Sequence, residues 1–255
     1  ATALRTFTLA TMAKGGMVKD ETYVRSAYNT SLIEVNNFMT EQKPLLAHGR
    51  LMDIIEVFRP HMAIDSLKES SKLLRKTKLY RSQKRSQSAV LFKESLRKED
   101  YNYYLEDDVM TYNYNNLGWW KYQMEELQKN MKSSNIFEQQ MGKRLEGYLN
   151  ALIEDNLDIL AQYEVDVESV NFLWMLKTIT QPEKAENYLK VISNSALLDD
   201  YGTALFYLEE LLKNGYKDKE KLYTIEHTAL LRIAPEFNEI VEKYLKDARY
   251  EPIED

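Results

Sequence analysis

Cysteine is absent from the 255 residues. Disulfides, thiolate nucleophiles and cysteine-ligated metals are therefore excluded. Its absence leans slightly toward a bacterial extracytoplasmic setting, yet cytosolic proteins also lack it, so both compartments stay open. Glycine and proline are scarce, at eight and five, which predicts short connections and many helices. No apolar run approaches the ~18–20 residues needed to span a bilayer. The opening ATALRTFTLATMAKGG has no long apolar core and does not read as a secretory signal. Only three histidines occur, His48, His61 and His227, and none stands in a His-x-x-x-His or Glu-x-x-His ligand spacing. His48 and His61 could meet across a turn, which is too little to expect a metal. Gly15-Gly16 has neither a preceding strand nor a following Lys-Ser/Thr, so it does not read as a phosphate loop. No Gly-x-Ser-x-Gly elbow is found. The sequence implies no cofactor and no catalytic residue.

A chain with 44% apolar and 29% charged residues reads as folded and soluble. Its formal charge of −6 favours solubility and says nothing of the fold. The apolar residues recur at helical spacing. Asp20 can cap a helix reaching about residue 42, with Val24, Ala27, Tyr28, Leu32, Val35 and Phe38 on one stripe. Pro44 ends it, and Leu51, Met52, Ile54, Ile55 and Phe58 form a second apolar face closed by Pro60. Asn135 and Glu138 have capping-box spacing and open the longest helix, to about Tyr163. A helix apolar on most sides starts near Val170, and Pro182 starts the next.

The most regular stretch runs from Tyr188 to Leu245. Tyr188, Val191, Ile192 and Ala196 lie on one helical side, and Ala204, Leu208 and Leu211 fall at i, i+4 and i+7 of another. Asp199-Asp200 separates the two, and Gly215 suits a helix C-terminus. Pro235-Glu236-Phe237 opens a last helix, because proline suits a first turn. The spacing resembles a tetratricopeptide repeat, a helix-turn-helix unit of about 34 residues. Leu211 replaces the usual Ala, Ile192 the usual small residue, Ser195 the usual Tyr and Asp199 the common turn Gly. The resemblance implies a concave protein- or peptide-binding surface. The expected fold is all-α, an α-solenoid or irregular antiparallel bundle of roughly nine to twelve helices with a tetratricopeptide-like C-terminal unit. The expected regions are 1–132 and 133–255, or one continuous domain.

Charge is uneven. Residues 68–98 hold eleven Lys or Arg against Glu69 and Glu94, a formal +9, which leaves −15 for the remainder. Lys72, Arg75, Lys76, Arg81, Lys84 and Arg85 are the candidate binding residues of this segment. Packing of the segment near the acidic remainder is the leading expectation. An acidic protein partner comes second, and nucleic acid or anionic lipid third. The middle, RSQKRSQSA, reads as a helix surface or a mobile connection. The second candidate is the aromatic stretch 101–122, with Tyr112, Trp119 and Trp120 as binding residues, where strand is locally possible. Core packing is the commoner fate of such a tryptophan pair. Glu106, Asp107 and Asp108 are consecutive, so they point to different helix faces and make a poor acid–base pair. The expected function is a non-catalytic helical-repeat module mediating protein–protein interaction, as a subunit or accessory domain of a larger assembly. Two alternatives remain: a ligand- or substrate-binding domain built on the Tyr/Trp region, and nucleic-acid binding through the basic segment.

Overall fold

In the computed structural model, which describes residues 2–162 and 166–250, thirteen α-helices and no strand occur among the described residues. The fold is all-α. Two compact units divide the chain, Ala1–Leu91 and Phe92–Asp255. The junction expected at 132/133 falls inside the second unit, between two helices that pack on each other.

The first unit holds α1 (Thr2–Ala13), α2 (Glu21–Thr40), α3 (Pro44–Phe58), α4 (Asp65–Lys76) and the start of α5 (Lys78–Thr111). Asp20 caps α2, accepting from the Tyr23 amide at 2.9 Å. Pro44 occupies the first turn of α3 and starts that helix. The α2 stripe of Val24, Ala27 and Val35 closes on Ala47, Leu51, Ile54 and Phe58 of α3, with Leu9 and Met12 of α1 beside them. Leu67 and Leu74 bring α4 onto the same core. Glu34 of α2 draws in Arg50 at 2.7 Å and Arg5 at 3.2 Å.

The second unit continues α5 and adds a 3-10 turn (Tyr114–Asn116), α6 (Leu117–Met131), α7 (Ile136–Leu160), α8 (Val167–Thr180), α9 (Ala185–Leu197) and α10 (Tyr201–Lys213). Three shorter helices follow: α11 (Lys219–Leu222), α12 (Ala229–Ile233) and α13 (Pro235–Leu245). Asn135 caps α7, accepting from the Phe137 amide at 3.0 Å. Its expected end at Tyr163 lies outside the described residues. α6 and α7 meet at Gly142, where an added Cβ would lie 2.8 Å from Met131 Cγ and 3.0 Å from the Leu127 carbonyl oxygen. α8 is buried around most of its circumference, through Phe172, Leu173, Met175 and Leu176. Pro182 stands before α9 without opening it; the helix begins at Ala185.

α9 and α10 form the expected hairpin, closed by Val191, Ile192, Ala196, Ala204, Leu208 and Leu211. The Asn214 amide side chain donates to the Tyr188 hydroxyl at 2.8 Å, and Gly215 takes φ +88° beyond α10. The corner between the helices is tight because Asp199 adopts φ +56°. Aspartate tolerates this left-handed region better than most residues, but only glycine enters it without a Cβ penalty. Asp199→Gly should therefore stabilise the protein by up to about 1 kcal/mol, less the greater freedom of glycine in the unfolded chain. A urea titration followed by tryptophan fluorescence checks this, and a destabilised variant would contradict the left-handed corner.

α5 decides between two pairs of alternatives. It is one helix of 34 residues running through RSQKRSQSA, which is a helix surface and not a mobile connection, and into the aromatic stretch, which is helix and not strand. It contains no glycine or proline. Its inward positions are Tyr80 and Val90 in the first unit, then Glu94, Tyr101, Leu105, Asp108 and Val109 in the second. These fall at helical spacing. Glu94 is held against α7 by a two-pronged Arg144 pair at 2.6 and 3.0 Å, and Lys98 adds 3.2 Å. The Arg144 hydrogen bonds hold the Glu94 carboxyl below its ordinary range despite burial.

Candidate docking face for an acidic partner

A single residue, Thr77, joins α4 to α5. Its hydroxyl donates to the Leu74 carbonyl at 2.8 Å and accepts from the Tyr80 amide at 3.3 Å. One side chain thus ends one helix and caps the next, so the cations of α4 and of α5 follow one another along the chain with no loop between them. Lys72, Arg75 and Lys76 share a face of α4 by spacing, and Arg81, Lys84 and Arg85 share a face of α5. All six are exposed, as is Lys78 between them.

α5 docks through Tyr80 and Gln83, with Lys84 one turn beyond Tyr80 at the edge of that side. Tyr80 packs edge-on against His48 of α3 at 5.1 Å. Gln83 donates to the Gln42 carbonyl at 2.8 Å and accepts from the Leu45 amide at 3.2 Å. Burial, then the charges of Arg75 and Lys84, hold the His48 imidazole below its usual value. Cations from both helices therefore act on one point of α3, and His48 Nε2 is buried without a partner among the described residues.

The pairing of these cations bears on the leading charge expectation. Lys68 finds Asp65 at 3.1 Å and Lys72 finds Glu69 at 3.4 Å, both neighbours on α4. Lys84 donates to Gln87 at 3.1 Å. Arg75, Lys76, Lys78, Arg81 and Arg85 make no ion pair among the described residues. Within the first unit, no ion pair among the described residues neutralises the middle of the segment. The first unit itself carries fifteen Lys or Arg against eight Asp or Glu, a formal +7, and the second unit carries −13. Leu67 and Leu74 dock the start of the segment, whereas Leu73, Leu91 and Phe92 are exposed. Leu73 and Leu79, 57% and 43% exposed, interleave with the cations.

Of the aromatic candidates, Trp119 and Trp120 pack edge-on at 4.8 Å and are not joined by Tyr112. Trp120 is fully enclosed and donates its Nε1–H to Asp108 at 2.7 Å. It offers no surface to a ligand. Trp119, half-buried, rests on Tyr104 at 4.7 Å and Tyr101 at 6.3 Å. Tyr112, at φ +52°, sends its hydroxyl to Asp166 at 2.8 Å. The acid trio separates as its spacing predicts: Glu106 and Asp107 face solvent, and Asp108 is buried as the acceptor for Asn113, Asn116 and Trp120. Among the described residues no group of three or more His, Asp or Glu side chains could hold a metal ion. His61 meets the Leu9 carbonyl at 3.0 Å, while His48 lies under Tyr80. Sequence reasoning overlooked Lys78, and it weighed His48 only as a metal ligand. Lys78 could have been found from its place next to Thr77, whereas His48, 29 residues earlier, meets Tyr80 only in the folded chain. No helix among the described residues is long and apolar enough to cross a membrane. No protein-family model matches this chain, and neither a curated protein nor a solved structure does.

Proposed function

We propose that the chain is a non-catalytic helical module that docks an acidic protein surface on the α4–α5 face. The observation that carries this reading is the run of cations itself, five exposed Lys or Arg side chains without an ion-pair partner among the described residues. Holding like charges together costs free energy that a complementary surface recovers. Leu73 and Leu79 among them favour a protein over a nucleic-acid backbone, which offers phosphates but no apolar counterpart. The α9–α10 hairpin and α13 support a tetratricopeptide-like end to the second unit, in keeping with an interaction role.

The test uses a labelled oligoglutamate peptide and a DNA duplex as probes. Binding of the peptide should weaken between 0.1 and 1 M salt, as the Debye length falls from about 10 to about 3 Å. Arg81→Glu, Lys84→Glu and Arg85→Glu together should abolish it and leave the melting temperature nearly unchanged, because exposed charges contribute about 0–1 kcal/mol each. Peptide binding should also raise the His48 pKa, read by NMR, since the anion offsets Arg75 and Lys84. Preference for the duplex would shift the reading to nucleic acid. A lowered melting temperature with binding intact would mean that the segment serves the fold.

A further inference from the structure

The second unit contains a cleft of about 460 Å³ where the 3-10 turn, α8 and the α9–α10 corner meet. That volume lies within the range of small-ligand and peptide-anchor pockets, roughly 300–1,000 Å³. Aromatic side chains form much of its wall: Tyr114 sends its hydroxyl to the Glu168 carbonyl at 3.0 Å, and Phe206 stands edge-on to Tyr207 at 5.2 Å. Phe206 is 57% exposed, although it belongs to a helix that buries its neighbours Tyr207 and Leu208. Two carboxylates, Glu168 and Asp200, line the cleft, and no Lys or Arg does. Neither carboxylate has an ion-pair partner among the described residues. Burial, then the charges of Glu168, Asp166 and Asp200, pushes the Tyr114 phenol up to about 12, so the negative potential is felt at the aromatic wall. Asn171 supplies a separate sign. It lines the cleft at 2% exposure and donates to Ser195 Oγ at 3.0 Å, yet its Oδ1 has no partner among the described residues. A buried acceptor left unpaired costs free energy unless a donor reaches it.

We infer that this cleft binds a Lys or Arg side chain of a partner peptide, with apolar residues flanking the cation. Aromatic faces attract a cation through their quadrupole, and the attraction strengthens as water is excluded. Glu168 and Asp200 fix its position by charge, and a guanidinium or ammonium carries the donors that Asn171 lacks. The cleft has more room than one side chain fills, which the apolar flanks would occupy against Tyr114 and Phe206. The site is independent of the basic face and takes a ligand of the opposite sign.

Fluorescence anisotropy of a labelled acetyl-Leu-Arg-Leu-Arg-Leu amide peptide tests the inference, with Glu replacing Arg in a control peptide. The Arg peptide should bind saturably and the Glu peptide should not. Glu168→Gln with Asp200→Asn should weaken binding about tenfold or more. Asparagine keeps the cap that Asp200 gives the Thr203 amide, so α10 remains intact. Glu236→Gln with Glu239→Gln, exposed on α13, should leave affinity within about twofold, since charges distant from the site are screened. The Asn171 side-chain amide resonances should shift as the peptide is added. Absence of binding, equal weakening by both double variants, or equal affinity for free arginine amide would each overturn the proposal.

Discussion

Asp108→Ala should lower the stability of the second unit by about 3–5 kcal/mol, whereas Asp107→Ala, one residue away, should change it by no more than about 0.5 kcal/mol. Asp108 is fully buried. Its carboxylate accepts from Asn113 Nδ2 at 2.9 Å, Asn116 Nδ2 at 2.7 Å and Trp120 Nε1 at 2.7 Å. Those donors lie on the turn and on the first residues of α6, so one side chain fixes how the chain leaves α5 and re-enters helix. Alanine would strand three N–H donors, each costing about 1–3 kcal/mol when unpaired and buried. Water can reach the half-buried asparagines but not the enclosed indole, which places the total below the sum. Asp107 faces solvent and should contribute little. All three tryptophans lie in the second unit, so a urea titration read by their fluorescence follows that unit alone. A loss under about 1 kcal/mol would mean that the three hydrogen bonds do not hold Asp108 in solution.

Legibility followed the chemistry of the inward positions. The α9–α10 hairpin was readable because its buried side, Val191, Ile192, Ala204, Leu208 and Leu211, is apolar throughout. Asp20, Asn135 and Pro235 marked helix starts for local reasons that packing did not override. α5 was obscured because two of its inward residues are Glu94 and Asp108. Carboxylates break an apolar stripe on paper, and only the arrival of Arg144 on one and of three N–H donors on the other makes their burial affordable. Those partners are 50 residues away in the first case and 5 to 12 in the second, beyond what periodicity can see. Composition located the basic face, but only the structure showed which cations are paired. Lys68 and Lys72 have an acid three residues away on their own helix, and Arg81 and Arg85 have none. The cleft was invisible for another reason. Tyr114 and Phe206 lie far in sequence from Glu168 and Asn171, and the four form no motif until the chain folds.

Ala204→Trp should cost the second unit at least about 1–3 kcal/mol, and it tests the hairpin at its closest point. Ala204 is fully buried in a cluster with Val191, Ile192 and Leu208, and α9 packs on α10 there. An indole cannot enter without moving backbone, because helix–helix distance follows the size of the side chains at the contact. Overpacking cannot be relieved toward α13, whose Phe237 and Val241 are also fully buried in that cluster. The matched control is Leu197→Trp at the end of α9, a position 46% exposed. There the added ring can lie in solvent, and stability should change by about 0.5 kcal/mol or less. Both variants add a fourth tryptophan to the unit, so the comparison is made at the transition midpoint and not on signal amplitude. Ala204→Gly provides the opposite sign of volume change. It should also destabilise, by about 1 kcal/mol from helix propensity and lost contact, so stability should peak at alanine. Equal midpoints for Ala204→Trp and Leu197→Trp would mean that α9 and α10 do not meet at Ala204.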